Sequence, residues 1–216
     1  RILNRHYRSK HESLIAFCNH HFYKDKLITF PSPKRNPDEL GVRSVYVGGI
    51  YKSRSNLEEV KQIVKEALEF MRKQPHRSLG LVAINSEQKD LIEREMDLAF
   101  QKHAHAANYS ERWKNKLESF FVKNLESVQG DERDAIFIST VYGYDSEGNF
   151  YQRFGPINRA GGERRLNVLF SRAKRNMVVF TSMKPNDIRV TEGSSAGLKA
   201  LRDFLNYAAT QKLSAG

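Results

Sequence analysis

The stretch S-V-Y-V-G-G-I-Y-K-S-R-S-N-L-E-E-V-K-Q-I-V-K-E-A-L-E-F-M-R-K-Q-P-H-R-S-L-G-L-V-A-I, residues 44–84, decides the fold. Residues 44–51 are β-rich and read as a strand. Asn56 followed by Glu59 fits a capping box, and Leu57, Val60, Ile63, Val64, Ala67, Leu68 and Met71 then recur at three and four residues, the spacing of an amphipathic helix. Residues 79–84 form an apolar run of the kind found in strands buried on both faces. Strand, helix and buried strand in succession make a βαβ unit, whose crossover demands a parallel sheet.

Working outward, the same alternation continues. A helix is expected at 86–99, strands at 120–122, 136–141 and 177–181, a helix at 163–174 before the last strand, and a closing helix at 196–208. Upstream, Leu14, Ile15, Phe17, Cys18 and Phe22 predict a helix over 9–22, and Pro31, Pro33 and Pro37 break any continuation. The polar stretch 102–116 reads as a mobile connection between elements. The loop 143–162 holds five glycines, and its length points to function or mobility. The expected class is α/β, a three-layer sandwich with a mostly parallel central sheet and helices on both faces.

Composition narrows the function. The chain has 216 residues with 36 Lys+Arg against 25 Asp+Glu, a net charge of +11 that favours polyanionic partners. Its apolar content, with 13 Phe and 9 Tyr, suits one or two compact lobes and excludes a disordered or collagen-like chain. No window supplies the ~18 apolar residues of a membrane span, and the basic opening 1–11 is not followed by a signal core, so a soluble, cytoplasmic protein is expected. Cys18 is the sole cysteine, which removes intrachain disulfides and zinc sites built on several thiolates and leaves core packing as its expected role. His103 and His105 lack the carboxylate or thiolate partners of a metal site, and none is expected. The apolar residues near the start look like the inside of a fold, so the chain is read as a piece of a longer one.

Three polar segments carry the chemistry. Arg153, Arg159, Arg164, Arg165, Arg172, Lys174 and Arg175 share a stretch in which Glu163 is the only acid, and on the expected helix Arg165 and Arg172 project along nearly one line, suited to phosphate oxygens. A basic face serving solubility alone is the competing reading. Near the start, Leu3-Asn4-Arg5-His6-Tyr7-Arg8-Ser9 sets an aromatic that can stack on a nucleobase beside an Arg that can reach a phosphate. In the middle, Ser127-Val128-Gln129-Gly130-Asp131-Glu132-Arg133-Asp134 precedes an apolar run. Gly130 permits close backbone approach, Gln129 can bridge polar groups and Glu132 can accept from a sugar hydroxyl, although a polar turn before a strand would look similar.

In this order the segments resemble motifs IV, V and VI of superfamily 1 DNA and RNA helicases. They read H-Y-R-S at 6–9, Q-G-D-E at 129–132 and R-L-N-V-L-F-S-R-A-K at 165–174. The wording around the last two is most similar to large bacterial helicase-related proteins that often carry a Vsr-type endonuclease domain downstream. The resemblance runs from Arg1 to about Tyr207 and implies that residues 1–216 are a second RecA-like motor domain. It implies that ATP with Mg2+ is held mainly by an upstream first RecA-like domain. Tyr7 would stack near adenine, Arg8 would reach the γ-phosphate, Gln129 and Gly130 would approach the phosphates, and Glu132 would bind the ribose. Arg172 would be an arginine finger, Arg165 would orient the motif, and Asn167 would hold its backbone.

Asn85, Ser86, Asn124 and Ser127 are the amide and hydroxyl candidates for the backbone of a single strand, DNA more than RNA, each also suited to caps and turns. Ala83 stands where the family places a Thr that touches a nucleic-acid phosphate. The chain has no G-x-x-x-x-G-K-[ST] loop and no Asp-Glu pair after a strand for Mg2+, so the fragment alone is expected to be inactive as an ATPase. The rival expectation is a non-hydrolysing nucleic-acid-binding module that positions a partner nuclease.

Overall fold

The computed structural model describes residues 9–28 and 40–213. The strands are β1 (Gly41–Tyr46), β2 (Leu79–Ala83), β3 (Phe121–Asn124), β4 (Arg133–Ser139) and β5 (Ala173–Thr181), and the helices are α1 (Ser13–Tyr23), α2 (Leu57–Lys73), α3 (Ser86–Lys102), α4 (Ala104–Trp113), α5 (Gly162–Phe170) and α6 (Ala196–Thr210). All strand pairs are parallel, in the order β1-β5-β4-β2-β3. The expected α/β architecture with a parallel sheet is therefore what the chain adopts.

Handedness explains the layers. The chain moves from β1 through α2 to β2, and through α3 and α4 to β3, always in one direction across the sheet, so right-handed crossovers put these helices on one face. It returns from β4 through α5 to β5, which puts α5 on the other face, where it packs with α1 and α6. On the first face Ile63, Ala67 and Met71 of α2 are fully buried against β4 and β5. The second face is aromatic: Phe170 of α5 stacks on Phe204 of α6, and Phe17 meets both edge-on. Cys18 packs there at zero exposure, as expected of a core cysteine.

Several boundaries differ from expectation, each for a visible reason. β1 ends at Tyr46 instead of continuing to 51, because Gly48 turns the chain with φ of 68°. The helix expected over 163–174 stops at Phe170: the Ser171 amide bonds back to Asn167 and Val168, and the Arg172 carbonyl accepts the Arg133 amide. Lys174 and Arg175 therefore belong to β5. The stretch 102–116 contains α4, pinned by Tyr109 donating to the Arg77 carbonyl at 2.7 Å and Trp113 donating to the Pro75 carbonyl at 3.2 Å. Within loop 143–162, Phe154 and Ile157 are fully buried around a short 3-10 turn at Gly155–Ile157.

Candidate functional site

At the edge of the sheet where β4 and β5 begin, the middle and late motifs meet. Glu132 immediately precedes β4 and Arg172 immediately precedes β5, and these strands are neighbours, so the two side chains converge with Nη1 3.9 Å from Oε1. Arg133 fixes the height of Glu132. Its guanidinium lies buried over the Phe121 ring, 4.5 Å from the centroid, and donates to the carbonyls of Ser119 and Glu132, both at 2.7 Å. Gly130, at φ of 88°, begins the exposed approach to this corner, and no heavy atom lies within 4 Å of where a Cβ would stand. Gln129 beside it is exposed. From the start of the described chain, the Lys10 amide donates to the Lys174 carbonyl at 2.6 Å, at the second residue of β5. Tyr7 and Arg8 lie outside the described residues.

Arg172 is held on its own helix end. Nε donates to the Val168 carbonyl at 2.8 Å and Nη2 to Ser171 Oγ at 3.0 Å, so the guanidinium caps orphan groups at the C-terminus of α5, where a cation is favoured. The expected alignment of Arg165 with Arg172 on one helix does not occur. Arg172 lies past the helix end, and Arg165 reaches the other way, donating from Nη1 to the Ala160 carbonyl at 3.2 Å. Asn167, expected to hold the motif's backbone, donates from Nδ2 to the Tyr23 hydroxyl at 3.3 Å and so ties α5 to α1.

The four single-strand candidates lie at the opposite edge, where β2 and β3 end. Asn85 caps α3: Oδ1 accepts the Gln88 amide at 2.9 Å while Nδ2 donates to the Arg54 carbonyl at 2.8 Å, and the side chain is buried. Asn124 donates to Ser86 Oγ at 2.9 Å and accepts from Ser127 Oγ at 2.9 Å, joining three of the four into one surface cluster. Ala83 is fully buried.

Beside the second cluster, at the same ends of the strands, lies a buried network that local sequence reading assigns differently. Glu59 fits a capping box, and Asn56 does accept the Glu59 amide at 3.1 Å, yet the Glu59 carboxylate does not return to the cap. It turns inward and accepts from Ser139 Oγ at 2.6 Å and the Val141 amide at 2.8 Å. Gln88 bridges Asn56 and Ser139, and Ser182 Oγ receives the Asn56 amide group and the Gly49 amide. The ends of β1, β4 and β5 and the starts of α2 and α3 are thereby tied to one carboxylate. Burial pushes the Glu59 carboxyl up to about 7, against the lowering effect of the bonds from Ser139, Val141 and Ser182. Apart from the Asn56 cap itself, the partners lie 32 to 133 positions apart, so no local pattern announces them.

Residues 1–184 match the AAA domain family, and the chain is a member of it. Over 209 residues it is 37% identical to an uncharacterized ATP-dependent helicase of Mycoplasma genitalium, and over 213 residues 34% identical to that protein's homologue in Mycoplasma pneumoniae. Each alignment covers 95% of this chain and 18% of the relative, so the chain spans under a fifth of the curated relatives it matches. Among solved structures, the C-terminal domain of a possible DNA helicase from Lactobacillus plantarum is similar at 17% identity and a TM-score of 0.41, covering 86% of this chain and 94% of that one. No helix among the described residues is long and apolar enough to cross a membrane.

Proposed function

We propose that the chain is the second motor domain of an ATP-driven superfamily 1 helicase or translocase, forming the far wall of a nucleotide site shared with a first domain of the same polypeptide. The observation that carries this reading is the meeting of Glu132 and Arg172 at the starts of neighbouring strands, with Lys10 tied beside them to Lys174. The residues present suit a nucleotide: the open space at Gly130 admits a phosphate or sugar to the backbone, Glu132 can accept ribose hydroxyls, and Arg172 offers a delocalised cation. Tyr7 and Arg8, three and two residues before Lys10, are assigned to the base and the γ-phosphate.

ATP with Mg2+, when bound, supplies the phosphoryl group whose transfer to water drives the cycle. Arg172 then leaves the Val168 carbonyl and neutralises charge on the phosphoryl oxygens, which couples the end of α5 and the start of β5 to the state of the site. Arg165, anchored on Ala160, orients the loop before α5. Single-stranded nucleic acid, DNA more than RNA, is assigned to the opposite edge, at Ser86, Asn124 and Ser127, with Asn85 holding the turn beneath them. A downstream nuclease domain would be a further partner.

The test is nucleic-acid-stimulated ATP hydrolysis by the complete polypeptide, with Arg172→Ala compared against Arg172→Lys. A large loss in the alanine variant at unchanged fold supports the motor reading. Unstimulated or unaffected hydrolysis favours the non-hydrolysing binding module.

A further inference from the structure

The edge strand β3 ends at Asn124 of the strand cluster, and the chain reaches it across the start of β2. There Ser78 Oγ, on a fully buried residue, donates to Glu118 Oε2 at 2.6 Å. Glu118 also pairs with Lys174 of β5, although β4 and β2 separate β5 from β3. The Ser119 carbonyl accepts from Arg133, whose guanidinium covers the Phe121 ring, and Lys123 Nζ pairs with Asp131 Oδ2.

These links share a pattern. On one side stand Asp131 and Arg133, which flank Glu132, and Lys174, two positions after Arg172. On the other stand residues 118–123, immediately before Asn124. Strand β2, which separates β3 from β4, reads Leu79-Gly80-Leu81-Val82-Ala83 and has no polar side chain, so the charged links pass around it. β3 is four residues long and pairs with β2 alone among the described residues, so side-chain links weigh more in its placement than in that of a central strand. Both ion pairs are partly buried, which shields them from screening by salt.

We propose that Glu118 and Lys123 are positioning residues that couple the two sites: they carry the state of the nucleotide corner to β3 and so set how Asn124 and Ser127 hold nucleic acid. When Arg172 leaves the Val168 carbonyl for a phosphoryl oxygen, the start of β5 moves with it and Lys174 draws on Glu118. A nucleotide that shifts Glu132 likewise shifts its neighbour Asp131, and with it Lys123. Neither positioning residue touches nucleotide or nucleic acid. The inference rests on the motor reading and adds to it the route by which one site regulates the other.

The experiment uses the complete polypeptide and a fluorescein-labelled oligo(dT), whose affinity is measured without nucleotide and again with ATPγS and Mg2+. The ratio of the two dissociation constants is the coupling factor, and by linkage oligo(dT) changes the ATPγS affinity by the same factor. Glu118→Gln keeps an acceptor for Ser78 and loses the charge facing Lys174, while Lys123→Met keeps the stem and loses the ammonium. Each is expected to bring the factor about 2- to 30-fold closer to one, in both directions of measurement, with the nucleotide-free oligo(dT) affinity unchanged. Lys123→Arg preserves the pair and retains the factor, and Glu69→Gln, which breaks ion pairs within α2, leaves it unaltered. An unmodified factor in either variant removes that residue from the route, and in both it overturns the proposal. Equal losses of affinity with and without ATPγS also overturn it, since a purely structural role does no more than that. An unmodified protein that binds both ligands with a factor of one overturns the coupling and leaves the two sites standing. If the unmodified protein does not bind both ligands, the motor reading falls and the coupling with it.

Discussion

The Glu59 carboxylate accepts the amide of Val141 at 2.8 Å, across eighty-two positions of sequence, and holds that residue at φ of 74°. The Tyr142 amide bonds to the Thr140 carbonyl at 2.9 Å, which makes a γ-turn centred on a β-branched residue, a conformation that costs of order 1–3 kcal/mol. The turn redirects the chain from the end of β4 to the loop 143–162. A carboxylate on α2 thus sets the geometry of a surface reached through β4.

Because folding raises the Glu59 carboxyl from its ordinary range to about 7, the native state binds more protons than the unfolded one between those values. Stability from this group is fully present below pH ~4.5 and declines as pH rises through 7, by about 3 kcal/mol in all. Urea denaturation at pH 5 and pH 8 reads the difference. Glu59→Gln should flatten the dependence, and Glu59→Ala should cost about 3 kcal/mol or more by orphaning Ser139 and Val141. A Glu59→Gln profile as steep as the unmodified one would assign the dependence elsewhere.

Gly162 and Gly197 open α5 and α6 against the Ile157 carbonyl, 2.0 and 2.1 Å from where their Cβ atoms would stand. Alanine ordinarily stabilises a helix relative to glycine by about 1 kcal/mol. At these positions the backbone clash reverses the sign, and Gly162→Ala and Gly197→Ala should each lose ~2–4 kcal/mol in urea denaturation. A stabilised variant would contradict the close approach.

Cys18 is fully buried, and that burial pushes its thiol up to about 12 despite the nearby Arg172 charge. A thiol-specific reagent at pH 8 should leave it unlabelled in the native protein and react promptly in denaturant. Native labelling at the denatured rate would contradict the packing of α1.

The parts legible in sequence are those whose signal is local. α2 and β2 follow from periodicity and an apolar run, and Asn56 caps α2 as its position implies. α4 escaped because Ala106, Tyr109 and Trp113 form its only buried stripe, at three- and four-residue spacing inside a polar background. The α5–β5 junction escaped because Arg172 through Asn176 is too polar to read as strand, although Ala173 and Asn176 are buried in it. Glu59 satisfied the local capping rule while tertiary structure took its side chain to β4. The motif residues were legible as a set through resemblance, but the parking of Arg172 on Val168 belongs to the folded chain alone.

The central claim is that Arg172 serves a nucleotide site at the start of β5. The most direct measurement is stimulated ATP hydrolysis by the complete polypeptide carrying Arg172→Ala, with Arg172→Lys and urea denaturation as controls for its capping of α5. The account predicts a loss of ~100-fold or more in rate, about 3 kcal/mol of transition-state stabilisation, at most partly restored by lysine. Hydrolysis at the unmodified rate in a folded Arg172→Ala protein would contradict it.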